Sequence, residues 1–534
     1  MKDKEQRREK KDHIQRGAEL GGEVALSDEN GRVDDTKRQE QAGPGTSPDI
    51  KIWRTQPEGQ ENAVTARAGE GSTVKNPPEA APQSEPRERR FRQTELPAHF
   101  LERRRRPVIS AEPRLPSASP RFEDYGAIIG SPELDEIRFL ARHLQAKTVK
   151  MVNSTALGGG VAEILNRLVP LMNELEIRTK WEIITGGNDF FEVTKGFQNA
   201  LQGGEYPITK TVRDIFMSYA EQNRNRISFD QDLCVINDPQ PLGLVYSRGN
   251  RPSGSSQDNG RSKWIWRCHI DLSNPNQEVW DFLKPMVEQY DAAIFSSPAF
   301  APQLNIPRYL FYPSIDPLSE KNKELEESYI DKVCDDFGID RSRPILTQIS
   351  RFDRLKDPVG VIESYKLVKK YVDCQLVLAG GGATDDPEGA VVLQEVMDAA
   401  GDDPDVIILN LPPWSALEIN ALQRASTVII HKSLREGFGL TVAEGLWKEK
   451  PVVASAVGGI PTQIVHKLTG VLVHSVEGCA YQLRYLLTHP EFARQLGKNG
   501  REHVKENFLI TANLKRWLLL FQIMLGMARP SRTL

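Results

Sequence analysis

A nine-residue segment from Glu436 to Glu444 places two carboxylates and two glycines between a predicted strand, Val428–His431, and a predicted helix. Free backbone N–H groups and the helix dipole favour an anion at such a helix start. Glu436 lies in the loop, where it can accept hydrogen bonds from sugar hydroxyls, and Glu444 lies one turn into the helix, where it can reach a ribose. The other residues of this predicted binding loop are Gly437, Phe438, Gly439, Leu440 and Thr441. Surface or capping carboxylates are the alternative, which the coincidence of glycines, strand end and helix start disfavours.

A second segment, S-R-F-D-R-L-K-D, carries cations at the carboxyl end of the predicted strand Ile345–Ser350. Ligands of doubly wound sheets bind at this end of the strands. The guanidinium of Arg351 can bridge two phosphate oxygens, and the ammonium of Lys356 supplies a point charge. Because a helix starts directly afterwards at Asp357, the segment predicts a diphosphate site. A solvated basic loop is the alternative.

Three consecutive glycines, 158 to 160, follow the predicted strand Val149–Ser154 and precede a helix. The backbones of Gly159 and Gly160 can therefore approach a phosphate or a sugar closely. The spacing is not G-x-G-x-x-G, and no acidic residue follows in a suitable context, which disfavours a nicotinamide dehydrogenase. Tight-turn glycines without a ligand are the alternative.

His269 follows another strand of the first half, in the segment R-C-H-I-D. Its position at a strand end, close to Asp271, predicts that it faces a cleft between two predicted domains, although a lone histidine is often structural. Asp238 ends a further strand and is, with Asp271, a candidate for binding an acceptor molecule. None of the five cysteines forms a C-x-x-C pair or a metal-like cluster with histidine, so no metal site is predicted.

The elements that must hold these segments alternate between short apolar strands and helices from about residue 124 onward. Such alternation predicts parallel sheets that helices cover on both faces. The prolines of Pro313–Pro317 separate two series of this kind and indicate a hinge. We therefore predict an α/β fold of two doubly wound, Rossmann-like domains that face a cleft. The predicted domains are 121–313, completed by a C-terminal helix within 511–534, and 314–510.

The predicted strands of the first series are Val149–Ser154, Trp181–Thr185, Leu233–Asn237, Trp264–Cys268, Ala292–Ser296 and Arg308–Tyr312. Those of the second series are Ile345–Ser350, Gln375–Ala379, Val406–Leu411, Val428–His431, Val452–Ala456 and Val471–Val473. The helices predicted by residue range in the second series are Pro358–Tyr371, Ala416–Ala425, Thr441–Lys448 and Glu491–Glu506, and a last helix, Thr511–Met527, is expected to cross back to the first domain.

Composition separates residues 1–120 from the rest of the 534-residue chain. This segment is rich in Glu, Arg, Gln, Gly, Pro and Ser and lacks apolar periodicity, so we predict a disordered, charged tail. A net charge of −4 does not favour nucleic acid or a membrane surface as a partner. No secretory signal or stretch of about 20 apolar residues is apparent, so we expect a cytoplasmic protein without a transmembrane segment.

Together these residues resemble the retaining GT-B glycosyltransferases of family four, whose E-x7-E signature matches Glu436 and Glu444. The segments RCHIDLS, PSIDPLSEKN, QISRFDRLKDP and LREGFGLTVAEGLWKEKPVVA are similar, more narrowly, to the trehalose synthase subgroup. The resemblance covers roughly 125–528. One departure is Asn237, at a position where the family often has a histidine.

The resemblance implies a role for each candidate residue. Arg351 and Lys356 would neutralise the donor diphosphate, Glu436 would hold the donor glucose and Glu444 the ribose. His269 would contact the donor sugar near the reacting centre. The backbones of Gly159 and Gly160 would lie near phosphate and acceptor, and Asn410 and Leu411 would flank the base.

The implied reaction joins glucose from ADP-, UDP- or GDP-glucose to free glucose, reversibly, to give α,α-trehalose. No cofactor or metal is expected to be required. The resemblance is compatible with a homodimer by analogy alone, and the oligomeric state stays open. The partners are then small sugars and a nucleotide sugar, with no nucleic acid. The alternatives are a trehalose phosphorylase, a family-four transferase with another acceptor, and a non-catalytic sugar-binding protein.

Overall fold

The computed structural model describes residues 120–156, 160–248, 262–381 and 387–527. The predicted tail, 1–120, lies outside the described residues except for residue 120, and so does Gly159. The strands are β1 Thr148–Asn153, β2 Arg178–Ile183, β3 Leu233–Asn237, β4 Lys263–Arg267, β5 Ala292–Phe295, β6 Arg308–Leu310, β7 Ile345–Ile349, β8 Gln375–Gly380, β9 Val406–Asn410, β10 Val428–His431, β11 Val452–Ser455 and β12 Val471–Val473.

The described helices lie between and around these strands. They are α1 Gly126–Ile129, α2 Ser131–Arg142, α3 Gly160–Glu174, α4 Asn188–Leu201, α5 Lys210–Arg226, α6 Gln277–Val287, α7 Glu327–Phe337, α8 Pro358–Lys369, α9 Pro387–Ala400, α10 Ala416–Ala425, α11 Leu440–Trp447, α12 Val476–Thr488, α13 Pro490–Asn507 and α14 Ile510–Met524. Short 3₁₀ segments are Phe122–Tyr125, Leu242–Ser247, Pro298–Phe300, Arg354–Lys356 and Ile460–Thr462.

The strands form two six-stranded sheets, one in each half of the described chain. The first has the order β2-β1-β3-β4-β5-β6 and the second the order β12-β11-β10-β7-β8-β9, and every described strand pair is parallel. The α/β prediction of two doubly wound halves is confirmed. Most predicted strands are correct to within one residue at each end. The exceptions are β2, which begins three residues earlier than predicted, and β6, which ends two residues earlier.

Apolar cores cover both faces of each sheet. In the first half, Phe216 and Trp264 belong to the core on one face, and Leu168 and Ile265 to the core on the other. Burial of a large apolar side chain in such a core contributes roughly 1.5–3 kcal/mol. Strands covered on both faces must be apolar throughout, which is why they read as continuous apolar runs rather than as alternating patterns.

The two halves are joined by two neighbouring segments of chain. Ile315, within the predicted hinge, donates its N–H to the carbonyl of Phe508 and accepts from the N–H of Ile510, both at 2.9 Å. Helix α14 then packs on the first half, where Trp517 and Phe521 are buried against α3. The last helix therefore crosses back onto the first half, where its apolar face packs against the core.

Candidate active site

The order of the second sheet creates a crevice between β7 and β10. From these neighbouring strands the sheet winds in opposite directions, through β8 to β9 and through β11 to β12. The loops that follow β7 and β10 therefore leave on opposite sides and open a space at the carboxyl edge, where doubly wound sheets bind ligands. These two loops are the cationic segment 350–357 and the segment that leads to Glu436. In the first sheet the same reversal lies between β1 and β3.

Lys356 and Glu436 meet in this crevice, although eighty positions separate them in the chain. The ammonium nitrogen of Lys356 lies 2.6 Å from Oε2 of Glu436. The same oxygen lies 2.8 Å from Nε2 of His431, the last residue of β10, and accepts a hydrogen bond from the Ser433 hydroxyl at 3.3 Å. The side chain of Glu436 is only 10% exposed, so these contacts are only weakly screened by solvent.

The charge of Glu436 depends on these neighbours. Burial by itself would raise the pKa of this carboxyl, but the hydrogen bond and charge of His431, together with the Lys356 ammonium, outweigh burial and lower the pKa to about 2. Glu436 is therefore a carboxylate throughout the physiological pH range. As a carboxylate it can only accept hydrogen bonds, which suits the hydroxyl groups of a sugar.

Backbone and side-chain contacts hold the two loops against each other. The N–H of Leu434 donates to the carbonyl of Leu355 at 2.8 Å. The Lys432 ammonium forms an ion pair with Asp357, whose carboxylate also caps α8 by accepting from the N–H of Gly360. Lys356 is thus positioned from both sides of the crevice.

Two glycines make the backbone conformation and the close packing of the Glu436 loop possible. Gly439, directly before α11, has a φ of +83°, a conformation that side-chain-bearing residues rarely adopt. Gly458, after β11, lies against the loop so closely that a Cβ there would be 1.7 Å from the carbonyl oxygen of Glu436. Gly458 is not among the predicted site residues, although a glycine pair after a buried strand is a recognisable signal of close backbone approach.

Residues of the first half face this loop across the cleft. A Cβ at Gly437 would lie 3.3 Å from the carbonyl oxygen of His269, and a Cβ at Gly160 would lie 3.1 Å from the side chain of Leu440. The two halves therefore meet where the sequence analysis placed their ligand-binding loops. Gly160 begins α3, so the amino end of this helix also points towards the cleft.

His269 is half-buried beside the cleft and is uncharged at neutral pH. Its backbone N–H donates to Oδ1 of Asp238 at 2.8 Å, and its Nε2 lies 3.3 Å from Oδ1 of Asn237. Burial, with a further contribution from the charge of Arg267, lowers the pKa of His269 well below its ordinary value. Burial also raises the pKa of Asp238 to about 6, although the His269 N–H and Arg267 oppose this change. The hydrogen bond from the His269 N–H to Asp238 fixes the backbone of His269, in addition to any contact of Asp238 with an acceptor sugar.

Glu444 is buried below the cleft rather than exposed on its helix. Its side chain is 4% exposed, and its Oε2 accepts a hydrogen bond from Gln423 at 2.9 Å. Its other oxygen lies 3.8 Å from the ammonium of Lys321. One carboxylate oxygen is thus bound to the protein, while the other lies beyond hydrogen-bond distance of its nearest cation.

The remaining predicted residues are less closely tied to the Glu436 cluster. Arg351 is 64% exposed, and its guanidinium lies 3.4 Å from the Asp353 carboxylate. Asp271 accepts the N–H of Ser273, within its own turn. Asn410 is exposed at the end of β9, and the next residue, Leu411, is buried. In the Glu436 loop, Phe438 packs its ring against Phe508, and Thr441 is half-buried in the first turn of α11.

His431 is the residue of this cluster that the sequence analysis assigned only to a strand. A histidine that ends an apolar strand was the available signal. That signal did not predict that His431 contacts Glu436, because the chain must turn back over the strand end before Glu436 reaches the imidazole. The structure makes His431 the buried support of Glu436, with 3% of its side chain exposed.

Replacement of His431 by glutamine is expected to raise the pKa of Glu436 from about 2 towards its ordinary value, because burial then has fewer opposing contacts. We expect activity at neutral pH to fall by roughly tenfold, since one charge-assisted hydrogen bond is weakened. The depressed pKa keeps the carboxylate ionised down to about pH 2, so the acidic limb of the pH–rate profile should move to higher pH in the variant. The exposed His474, replaced in the same way, is the control, and an unchanged profile for His431→Gln would contradict this role.

Among the residues that the structure describes, no group of three or more His, Cys, Asp or Glu side chains is arranged to hold a metal ion. None of the described helices is long and apolar enough to cross a bilayer.

Solved structures share this two-lobed arrangement. A UDP-forming α,α-trehalose-phosphate synthase from Burkholderia xenovorans superimposes with a TM-score of 0.53, covering 72% of this chain and 99% of that chain, at 16% sequence identity. The architecture is GT-B, and the class of protein it defines here is a glycosyltransferase, since residues 331–503 match the family model for glycosyl transferases group 1.

Sequence relatives identify the branch of this class. Residues 151–302 match the family model for the N-terminal domain of trehalose synthase. The trehalose synthase of Thermococcus litoralis is 47% identical over 406 residues, which cover 74% of this chain and 96% of the relative. A trehalose phosphorylase of Pleurotus pulmonarius is 27% identical over 456 residues, covering 75% of this chain and 60% of the relative. The chain belongs to the trehalose synthase family and is a trehalose-related hexosyltransferase.

Proposed function

We propose that the protein transfers glucose from a nucleotide diphosphate glucose to free glucose, with retention at the anomeric carbon, giving α,α-trehalose and a nucleoside diphosphate. The observation that carries the proposal is the cluster of Lys356, Glu436 and His431 at the switch point of the second sheet, opposite His269. Identity of 47% to trehalose synthases supports the product. The UDP-forming name of the Burkholderia protein supports a nucleoside diphosphate as the leaving group.

The cationic crevice suits a diphosphate leaving group. As the glycosidic bond to the donor breaks, negative charge builds on the diphosphate, and a preorganised cation stabilises this charge more in the transition state than in the ground state. Lys356, whose side chain is 19% exposed in this crevice, is the first proposed cation, and Arg351 is the second. The amino end of α11, from Leu440 and Thr441, adds backbone N–H groups. Gly159 and Gly160 are proposed to approach the same phosphates from the first half.

Glu436 is proposed to bind the transferred glucose and Glu444 the ribose of the donor. The low pKa of Glu436 keeps it an acceptor for sugar hydroxyls. The low pKa of His269 makes it an uncharged partner for the sugar at neutral pH. Asn410 and Leu411 are proposed to flank the base, while Asp238 and Asp271 are proposed to contact the acceptor.

Retention is proposed to occur by attack on the face from which the diphosphate departs. No carboxylate is an evident nucleophile in the sequence, so a donor phosphate oxygen is proposed to take the proton of the attacking hydroxyl. The bond from the anomeric carbon to the diphosphate breaks as the bond to the acceptor oxygen forms. The reverse reaction uses the same groups. Closure of the cleft excludes water, which would otherwise hydrolyse the donor.

The test combines donors and acceptors with the purified protein. ADP-, UDP- and GDP-glucose are each supplied with free glucose in the presence of EDTA, and the products are identified by NMR and by trehalase digestion. We expect α,α-trehalose and the matching nucleoside diphosphate with at least one donor, and breakdown of trehalose when that nucleoside diphosphate is supplied instead. Strict dependence on a divalent metal, or hydrolysis of the donor alone, would contradict the proposal.

The trehalose phosphorylase relative defines a second candidate reaction. In this case glucose 1-phosphate, rather than a nucleotide sugar, would support synthesis, and inorganic phosphate would support trehalose breakdown. Glucose 1-phosphate is therefore tested beside the nucleotide sugars in the same screen. A product other than trehalose would indicate a different acceptor, and no turnover with binding intact would indicate a sugar-binding protein. Cytoplasmic location remains a prediction, and the oligomeric state remains open.

A further inference from the structure

Lys321 lies between the two halves of the site, on the segment that follows the hinge. Its ammonium is 2.8 Å from Oε2 of Glu163, in the first turn of α3, and 3.8 Å from Oε1 of Glu444, in α11. The lysine side chain is 31% exposed. Burial opposes its charge, but the two carboxylates outweigh this and raise the pKa of Lys321 above its ordinary value. It is therefore a cation that faces one carboxylate from each half.

The backbone around Lys321 is attached to the second half. Asn420 of α10 donates from its amide nitrogen to the carbonyls of Glu320 at 2.9 Å and Lys323 at 2.8 Å. The buried ammonium of Lys448 donates to the side chain of Asn322 at 2.9 Å. Because these bonds fix the residues on both sides of Lys321, its side chain moves with α10 and α11. Its contact with Glu163 is the one that crosses the cleft.

We propose that Lys321 is a positioning residue that orients Glu444 towards the ribose of the donor and, through Glu163, couples ribose binding to closure of the cleft. The proposal rests on the proposed function, in which Glu444 binds ribose. Gln423 fixes one oxygen of Glu444, while Lys321 lies too far from the other for a direct hydrogen bond. A ribose hydroxyl can therefore bind the second oxygen, while attraction to the Lys321 ammonium keeps the carboxylate oriented.

Ribose recognition by this arrangement can be measured with matched nucleotides. ADP, UDP and GDP are titrated calorimetrically against the wild-type protein, and the tightest ligand is compared with its 2′,3′-dideoxy form. Loss of hydroxyls bonded to a carboxylate should weaken binding by roughly tenfold. Lys321→Met should weaken binding of the ribose nucleotide by a similar factor and leave binding of the dideoxy nucleotide unchanged. The variant then no longer discriminates between the two nucleotides. Lys321→Arg should retain discrimination.

Coupling to closure is tested with Glu163→Gln, which removes the charge across the cleft and leaves Glu444 untouched. We expect the nucleotide Kd to rise about two- to threefold, because coupled binding and closure affect each other. We also expect kcat to fall several-fold and a larger fraction of donor to be lost to hydrolysis, because closure excludes water. In the double variant, Glu163→Gln should add nothing to the kcat loss of Lys321→Met. Lys366→Met, on the surface of α8, is the matched control, and thermal melting reports folding of every variant.

The outcomes separate the two claims. If the wild-type protein binds none of the three nucleoside diphosphates, the proposed function fails, and the role of Lys321 in ribose binding fails with it. If the wild type binds and discriminates, but Lys321→Met discriminates equally well, only the present proposal is overturned. Additive kcat losses in the double variant would overturn the coupling through Glu163. If Lys321→Met does not fold, unchanged kcat and unchanged donor hydrolysis in Glu163→Gln overturn the proposal.

Discussion

Replacement of Lys356 by alanine is expected to lower kcat for trehalose formation by about 100- to 1,000-fold, the loss typical when one preorganised charge-stabilising donor is removed from a site. The ammonium is held 2.6 Å from Glu436 in a crevice where screening is weak, so water cannot replace it efficiently. We expect a smaller effect on the donor KM, because the diphosphate acquires its additional charge only as the bond breaks. Steady-state rates with saturating glucose measure both constants.

Arg354→Ala is the matched control for this experiment. Arg354 lies two positions before Lys356 in the same 3₁₀ turn, but its guanidinium pairs with Glu395 on α9 and is half-exposed. Its removal deletes a cation of the same loop without touching the crevice, so kcat should stay within about twofold of wild type, as expected for an exposed ion pair. A Lys356→Ala variant that folds and keeps near-normal kcat would refute the assignment of Lys356.

Replacement of Glu436 by glutamine is expected to lower kcat/KM by at least about 100-fold while preserving the shape of the side chain. The carboxylate oxygen that faces Lys356 and His431 loses its charge, and the amide cannot accept from all of its present donors at once. Lys356 is then left partly buried without its counter-charge, and the sugar loses an acceptor. Both changes act on the same reacting centre.

The measurement is kcat/KM for the donor, together with the thermal midpoint and nucleotide affinity. Glu395→Gln is the control, since this carboxylate belongs to the Arg354 pair outside the crevice. Because Lys356 and Glu436 form one unit, the double variant Lys356→Ala/Glu436→Gln should be little worse than the more damaging single variant. Fully multiplicative losses would show that the two side chains act separately, and activity near wild type in Glu436→Gln would contradict its role.

Much of the fold could be predicted from the chain because its signals are local. Continuous apolar runs such as Ile429 and its neighbours in β10 mark strands that helices cover on both faces. The alternation of these runs with helices, divided by the proline-containing hinge, predicted two doubly wound halves. The polar and glycine-containing segments after β7 and β10 could be assigned to the ligand edge for the same reason, since parallel strands share one carboxyl edge.

Contacts within the site were harder to predict because they depend on which loops become neighbours. His431 is five positions from Glu436, yet the prediction of a strand end did not place its imidazole on that carboxylate. Lys321 lies in a segment that the sequence analysis used only as part of a family resemblance. Its two carboxylates come from helices more than 100 residues away on either side. No periodicity or spacing connects three residues of this kind.

The sequence by itself determined the two α/β series and the residue types at their strand ends, because apolar runs, glycines and prolines act through their immediate neighbours. Tertiary structure alone decided that β7 lies beside β10, and therefore that Lys356 meets Glu436, since strand order is a property of the whole sheet. It also decided the charge states of the site. The pKa values of Glu436, His269 and Asp238 follow from burial and from charges brought close by folding, which no local pattern contains.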